Sequence, residues 1–160
     1  MKMNEDLKQS LGVGFHDLAT ASRDGKPNVV QVGLLKAISD TQILIVDIWF
    51  NKTRKNLEEN PNVALAVSDM QKLRFYQLKG KAKIITEGPL YEKAFEIMKE
   101  KDEIRKRRLE KMEMQIGNEE FKKRMQKIME LHTKVHKPKA VVLMDVEEIY
   151  STVPGEKYEG

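Results

Sequence analysis

The chain has no cysteine and one tryptophan, and aromatic residues fill 6% of its 160 positions. Without cysteine there is no disulfide framework, no thiolate nucleophile and no Cys-ligated metal site. No apolar run approaches the roughly eighteen residues that a membrane helix needs. From Met1 to Leu11 the chain carries Lys2, Glu5, Asp6 and Lys8, without the apolar core of a signal peptide. These absences lead to the expectation of a cytoplasmic protein. Internal repeats and low-complexity segments are absent too.

What is present fits one domain over residues 1–160, long enough to bury roughly 70% of its unfolded surface. Lys and Arg total 29 against 25 Asp and Glu, a net charge of +4. The excess is uneven: Lys99 to Lys139 holds 14 basic and 8 acidic side chains, or +6, which leaves −2 for the rest. Such a segment can meet nucleic acid or an acidic partner. Its acids are interleaved with its bases, however, as in solvated, salt-bridged helices. No aromatic residue lies among the basic ones of Lys99 to Arg108, which counts against single-stranded nucleic acid.

The N-terminal half alternates as strands do. Asp17 to Ser22 ends at the Asp24-Gly25 turn, and Asn28 to Leu35 and Gln42 to Trp49 are β-branched and apolar. A helical turn from Thr53 to Glu59 stops at Asn60-Pro61, and strands follow at Asn62 to Asp69 and Leu73 to Thr86, the latter bulged at Gly80. Gly88-Pro89 then opens a helical insertion of about residues 89–137. Its expected helices are Leu90 to Lys101, Ile104 to Ile116, and a third containing Phe121, Met125, Ile128 and Met129. Gly117-Asn118 reads as a helix stop followed by an N-cap. Ala140 to Val146 is a last strand, and Val153 to Gly160 a loose tail. Short sequential antiparallel strands with a helical insertion before the last one predict a mainly β fold with α additions (α+β), a six-stranded antiparallel barrel.

The segment with the most chemical content is Asn51-Lys52-Thr53-Arg54-Lys55-Asn56, a basic loop that follows a buried strand and opens a short helix. Unsatisfied N–H groups at a helix start, joined by Lys, Arg and Thr donors, are suited to a phosphate. An ordinary solvated loop is the alternative for this stretch taken alone.

Beyond composition and periodicity, the chain resembles the pyridoxamine 5′-phosphate oxidase-like, FMN-binding split-barrel family, and within it the small FMN-binding and flavoredoxin-like members. The residues that carry the resemblance are Leu18-Ala19-Thr20-Ala21 with Asp24-Gly25-Lys26-Pro27, then Lys52-Thr53 with Asn56-Leu57 and Asn60-Pro61. Gly80-Lys81-Ala82 and the stretch from Lys139 to Gly155 add to it. The resemblance implies FMN at a homodimer interface and a flavin-dependent oxidoreductase or electron carrier. It places Asn51, Lys52, Thr53 and Asn56 at the phosphate, Val30, Gln31, Val32 and Gly33 along the isoalloxazine ring, and Val46, Asp47 and Ile48 beneath the ring or ribityl chain. The same fold with a deazaflavin or haem is one alternative, and a non-enzymatic binding module using the basic helices of residues 99–139 is another. Pyridoxamine phosphate oxidases carry basic residues on the second strand and an Arg-rich C-terminal motif. This chain has Val30 and Gln31 on that strand and ends Gly155-Glu156-Lys157-Tyr158-Glu159-Gly160, so vitamin B6 oxidation is not expected.

The remaining features have plain readings. No side chain stands out as a general acid or base, so no catalytic residue is assigned. Asp47 is either a ring contact or a charge at a strand end, and Trp49 and Phe50 read first as packing aromatics. His132 and His136 have helical i, i+4 spacing, but no third ligand follows them in sequence, and no metal site is expected. His16 reads as structural. Gly12-Val13-Gly14 lacks the strand–helix context of a dinucleotide fingerprint, and the Met residues from Met98 to Met129 read as packing.

Overall fold

The computed structural model describes the chain apart from residues 114–117 and 134–136. Its elements run α1 (Glu5–Leu11), β1 (His16–Ala21), β2 (Pro27–Val32), β3 (Leu35–Ala37), β4 (Gln42–Asp47), α2 (Lys52–Glu59), β5 (Asn62–Asp69), β6 (Arg74–Ile85), α3 (Pro89–Glu113), α4 (Glu119–Thr133) and β7 (Ala140–Ser151). One antiparallel sheet contains all seven strands in the order β2-β1-β5-β6-β7-β4-β3. The expected split-barrel architecture is present, with seven strands in place of six. The additional strand arises because Gly33-Leu34 breaks the segment read as continuous from Asn28 to Leu35. That short link joins the two edge strands of a curled half-barrel, and the Val46 N–H donates to its Leu34 carbonyl at 2.8 Å.

The burial pattern follows from composition. β1 and β5 alternate buried and exposed positions, as a sheet covered on one face should. β4 and the first half of β7, Ala140 to Met144, are continuous apolar runs, and both of their faces are covered. Ile43, Ile45, Val142 and Met144 join Leu18, Leu65, Leu78, Leu7 and Leu11 inside the curl. Leu44, Val46, Val141 and Leu143 face outward beneath Ala94 and Ile97 of α3. Gly80 sits at a register shift between β6 and β7, where an added Cβ would lie 1.9 Å from the Asp145 carbonyl oxygen. The expected bulge is thus required by the close approach of β7.

One helix was not anticipated and two expectations are corrected. The N-terminal residues form α1, capped by Asn4, whose Oδ1 accepts the Leu7 N–H at 3.0 Å. The segments Leu90 to Lys101 and Ile104 onward belong to one helix, α3, which is described as far as Glu113; the end of the second segment and the expected stop at Gly117 lie outside the described residues. The C-terminal tail is docked, not loose. The Tyr158 hydroxyl accepts the Asn4 N–H at 2.6 Å and donates to the Lys2 carbonyl at 2.9 Å, while its ring meets Tyr76 edge-on at 5.7 Å. Asn118 does cap α4 through the N–H groups of Glu120 and Phe121, at 3.0 and 3.3 Å. Among the described residues no helix is long and apolar enough to cross a membrane.

Candidate functional site

The site begins where β4 runs out. Asp47, the last residue of β4, is 1% exposed and turns its carboxylate back under the following loop. Its Oδ1 accepts the Phe50 N–H at 2.8 Å and its Oδ2 accepts from Arg54. Its main-chain carbonyl receives the Lys139 N–H at 2.8 Å, which fixes the loop to the start of β7. Burial pushes the Asp47 carboxyl up, while the Phe50 N–H, Arg54 and Lys139 oppose that shift. With Arg54 engaged in this way, Lys52 is the exposed cation at the head of α2. Among the described residues no carboxylate pairs with it.

Helix α2 starts without a side-chain cap. Asn51 occupies the N-cap position but makes no capping bond, and the first turn contains no acid. The leading N–H groups therefore have no partner within the helix and present the positive end of its dipole. A chain of polar side chains fastens this helix to the sheet. Asn28 Nδ2 on β2 donates to Thr53 Oγ1 at 3.0 Å and to Thr20 Oγ1 on β1 at 3.3 Å. Asn56 Nδ2 reaches the same Thr20 oxygen at 3.1 Å. Because Thr53 accepts from Asn28, its own hydroxyl proton remains for another acceptor.

In front of this helix end lies a cavity of about 370 Å³. Val30, Gln31, Val32, Gly33, Val46 and Ile48 form its sheet walls, and Asn51, Lys52 and Thr53 its polar end. Nine of the eleven residues expected at a cofactor are brought together here. Asp47 and Asn56 are not on the wall: the first holds the loop and the second holds the helix, so both act behind it. Phe15, Leu34, Trp49 and Phe50 complete the lining. Phe15 and Leu34 gave no signal in the sequence. Trp49 and Phe50 were read as packing, yet Trp49 is 59% exposed at the cavity. β2 is a sheet edge that pairs only with β1, so its outer backbone groups can address a ligand's N–H and C=O.

Around the site, His16 is buried and neutral. Its Nε2 faces the Leu11 carbonyl at 3.3 Å and its Nδ1 accepts the Ser68 N–H at 3.4 Å. Burial lowers its pKa, and Lys101, which donates to the Leu11 and Gly12 carbonyls at 3.3 and 3.0 Å, adds to that effect. His136 and the side chain of His132 lie outside the described residues, as do several side chains of the basic segment.

The family model for pyridoxamine 5′-phosphate oxidase matches residues 14–152. The chain belongs to this family. An uncharacterised protein of Methanocaldococcus jannaschii is 38% identical over 101 residues, or 62% of this chain and 67% of that one. Among solved structures, HupZ of group A Streptococcus superposes with a TM-score of 0.67 at 23% identity, covering 98% of this chain and 99% of its own. An FMN-binding protein of Syntrophomonas wolfei follows at 0.56 and 14%, covering 95% and 92%. The haem storage protein HutZ of Vibrio cholerae gives 0.53 and 14%, covering 94% and 95%. At these identities the structural matches establish the shared fold of the oxidase family.

Proposed function

We propose that this member of the pyridoxamine 5′-phosphate oxidase family binds FMN in the cavity between β2, β4 and the head of α2, and serves as a flavin-dependent oxidoreductase or electron carrier. One observation carries the reading: an uncapped helix N-terminus with Lys52 and Thr53 closes one end of a cavity whose long walls are apolar. That division matches a ligand with a planar ring at one end and a phosphate dianion at the other. Lys52 and the α2 N–H groups would hold the phosphate, with Thr53 donating its proton. Val30, Val32, Val46 and Ile48 would pack the ring, and the β2 edge would orient it. FMN, when bound, supplies hydride or single-electron transfer, while the chain sets orientation and solvent access.

Haem suits this lining less well. None of the thirteen lining residues is His, Cys, Met or Tyr, the usual axial ligands. A deazaflavin carries a similar planar ring and phosphate and is separated by its spectrum. We also propose a homodimer. The outer positions Val29, Ala19 and Ala64 are small and uncharged up to Lys79 on β6, and Val29, Phe15 and Trp49 are each about 60% exposed. A second copy over this face would dry the cavity mouth.

The test is an ultraviolet-visible titration of the purified protein with FMN, followed by dithionite, with molar mass measured in parallel. The expected result is a flavin band that shifts on binding, bleaches on reduction and elutes with a dimer. A protein that leaves FMN unbound at high micromolar concentration would overturn the reading.

A further inference from the structure

Gly33 lies at the end of β2 with a backbone conformation open to any residue, since its φ falls outside the positive region. The chain path therefore does not demand glycine there. Its neighbour does. A Cβ at position 33 would come within 2.9 Å of both Cδ1 and Cε1 of Phe15, closer than carbon atoms tolerate. The Phe15 ring occupies the space that a side chain at 33 would fill, and glycine at a strand end is a common sign of such close approach.

Phe15 itself contributes little to the core. It is 60% exposed and lines the cavity beside Gly33 and Leu34. Two neighbours aim it. Gly14 on one side has φ +79°, a turn that directs the chain toward the cavity mouth. His16 on the other is 1% exposed and bound to the Leu11 carbonyl and the Ser68 N–H. A large aromatic left in water between a turn and a buried anchor gains stabilisation when an apolar partner covers it, and a flat partner adds ring stacking to that burial.

We propose that Phe15 is a cofactor-binding residue of the cavity, the wall against which the planar ring of the bound cofactor packs, and that Gly33 is a positioning residue that makes room for it. This rests on the flavin reading and deepens it by dividing recognition between two places. Phe15 is apolar and acts on the ring, so it treats riboflavin and FMN alike. Lys52 and Thr53 act on the phosphate and separate the two ligands.

The experiment is a double-mutant cycle read by flavin fluorescence and visible absorption, with riboflavin and FMN each titrated into wild type, F15A, G33A and F15A/G33A. F15A should weaken both ligands by the same factor, roughly tenfold, the scale of a lost aromatic contact and its buried area. G33A should weaken both similarly by displacing the ring, and F15A/G33A should be no worse than F15A. F15Y should restore affinity and the shift of the visible band, which a merely structural residue would not do. F15L, which keeps bulk but no flat face, replaces F15A if that variant does not fold. Unchanged affinities in F15A would overturn the proposal. So would a G33A effect that persists undiminished in the F15A background, because Gly33 would then act through direct approach to the ligand. Failure of wild type to bind either flavin would instead remove the flavin reading itself.

Discussion

Two concavities of this protein have the same volume, about 370 Å³ each, and very different walls. The first, between β2, β4 and α2, is apolar along its length and ends in donors that have no partner among the described residues. The second, under the C-terminal tail, is lined by Asn4, Asp6, Arg74, Tyr76, Ser151, Glu156 and the residues from Lys157 to Glu159. Both signs of charge are mixed along this wall and several are engaged: Arg74 meets Glu156 at 3.8 Å, and Asp6 accepts from Lys72 at 2.7 Å. Size thus does not distinguish a ligand site from a seam where chain termini meet. The distinction lies in an apolar wall that ends in donors of one sign against a wall of mixed and partly paired charges, because desolvating a satisfied pair for a ligand returns little free energy.

The comparison breaks most easily at the polar end of the first cavity. K52A/T53A should weaken FMN by about 3 kcal/mol, more than a hundredfold in Kd, since bonds from charged or hydroxyl donors to a dianion are lost together. Riboflavin, without the phosphate, should bind the variant as it binds wild type. Equal loss for both ligands would move the phosphate elsewhere. Next comes the ion pair behind the loop. In D47A the Arg54 guanidinium, 24% exposed, loses its carboxylate and the Phe50 N–H loses its acceptor. Removing one partner of a fully buried pair costs about 3–5 kcal/mol, and partial solvent access to Arg54 reduces that to about 2 kcal/mol. Urea denaturation reads this value directly. A change below about 0.5 kcal/mol would show that the loop does not depend on Asp47.

Much of this arrangement was legible in the sequence, for physical reasons that can be named. The apolar runs of β4 and β7 and the alternation of β5 reflect two-sided and one-sided burial, and Asn51 to Asn56 reflects a helix start rich in donors. Gly80 announced the bulge because few other features of a strand call for glycine. The unread parts depend on distant partners. Phe15 gains its place from Gly33, far along the chain, and Tyr158 gains its place from Asn4 at the opposite terminus. No local pattern encodes either contact. Helix α1 did carry a signal, Asn4 followed by Glu5 and Asp6 with Leu7 and Leu11 one turn apart, but seven residues are too few for periodicity to stand out. Asp47 was ambiguous because a carboxylate at a strand end looks the same in sequence whether it faces a ligand or an arginine.

The anchoring of Phe15 by His16 gives the first cavity a pH dependence that the second has no buried histidine to share. His16 accepts from the Ser68 N–H in its neutral form, and burial lowers its pKa below the usual value of about 6.5. The unfolded chain therefore takes up a proton before the folded one does. Stability from this group is fully present above about pH 6.5 and falls as pH drops toward the lowered folded value, by at most roughly 1.4 kcal/mol per pH unit. Between pH 6.5 and 5.5 wild type should lose stability that H16F does not lose, as urea denaturation at the two pH values would read. Parallel curves for the two proteins would show that His16 does not titrate in the folded state's favour.

The smallest expected effect is the one that sharpens the contrast. R74A/E156A removes the charged pair of the tail cleft, whose side chains are 45% and 44% exposed. An exposed pair at 3.8 Å is screened by water, so unfolding free energy should change by less than about 0.5 kcal/mol. FMN and riboflavin affinities should match wild type, since neither residue approaches the first cavity. If this variant lost flavin affinity while keeping its stability, the cleft would be communicating with the cavity through α1, whose Leu11 carbonyl is shared by His16 and Lys101. The two concavities would then be parts of one device, and the unpaired donors of α2 would cease to be a sufficient criterion for locating the site.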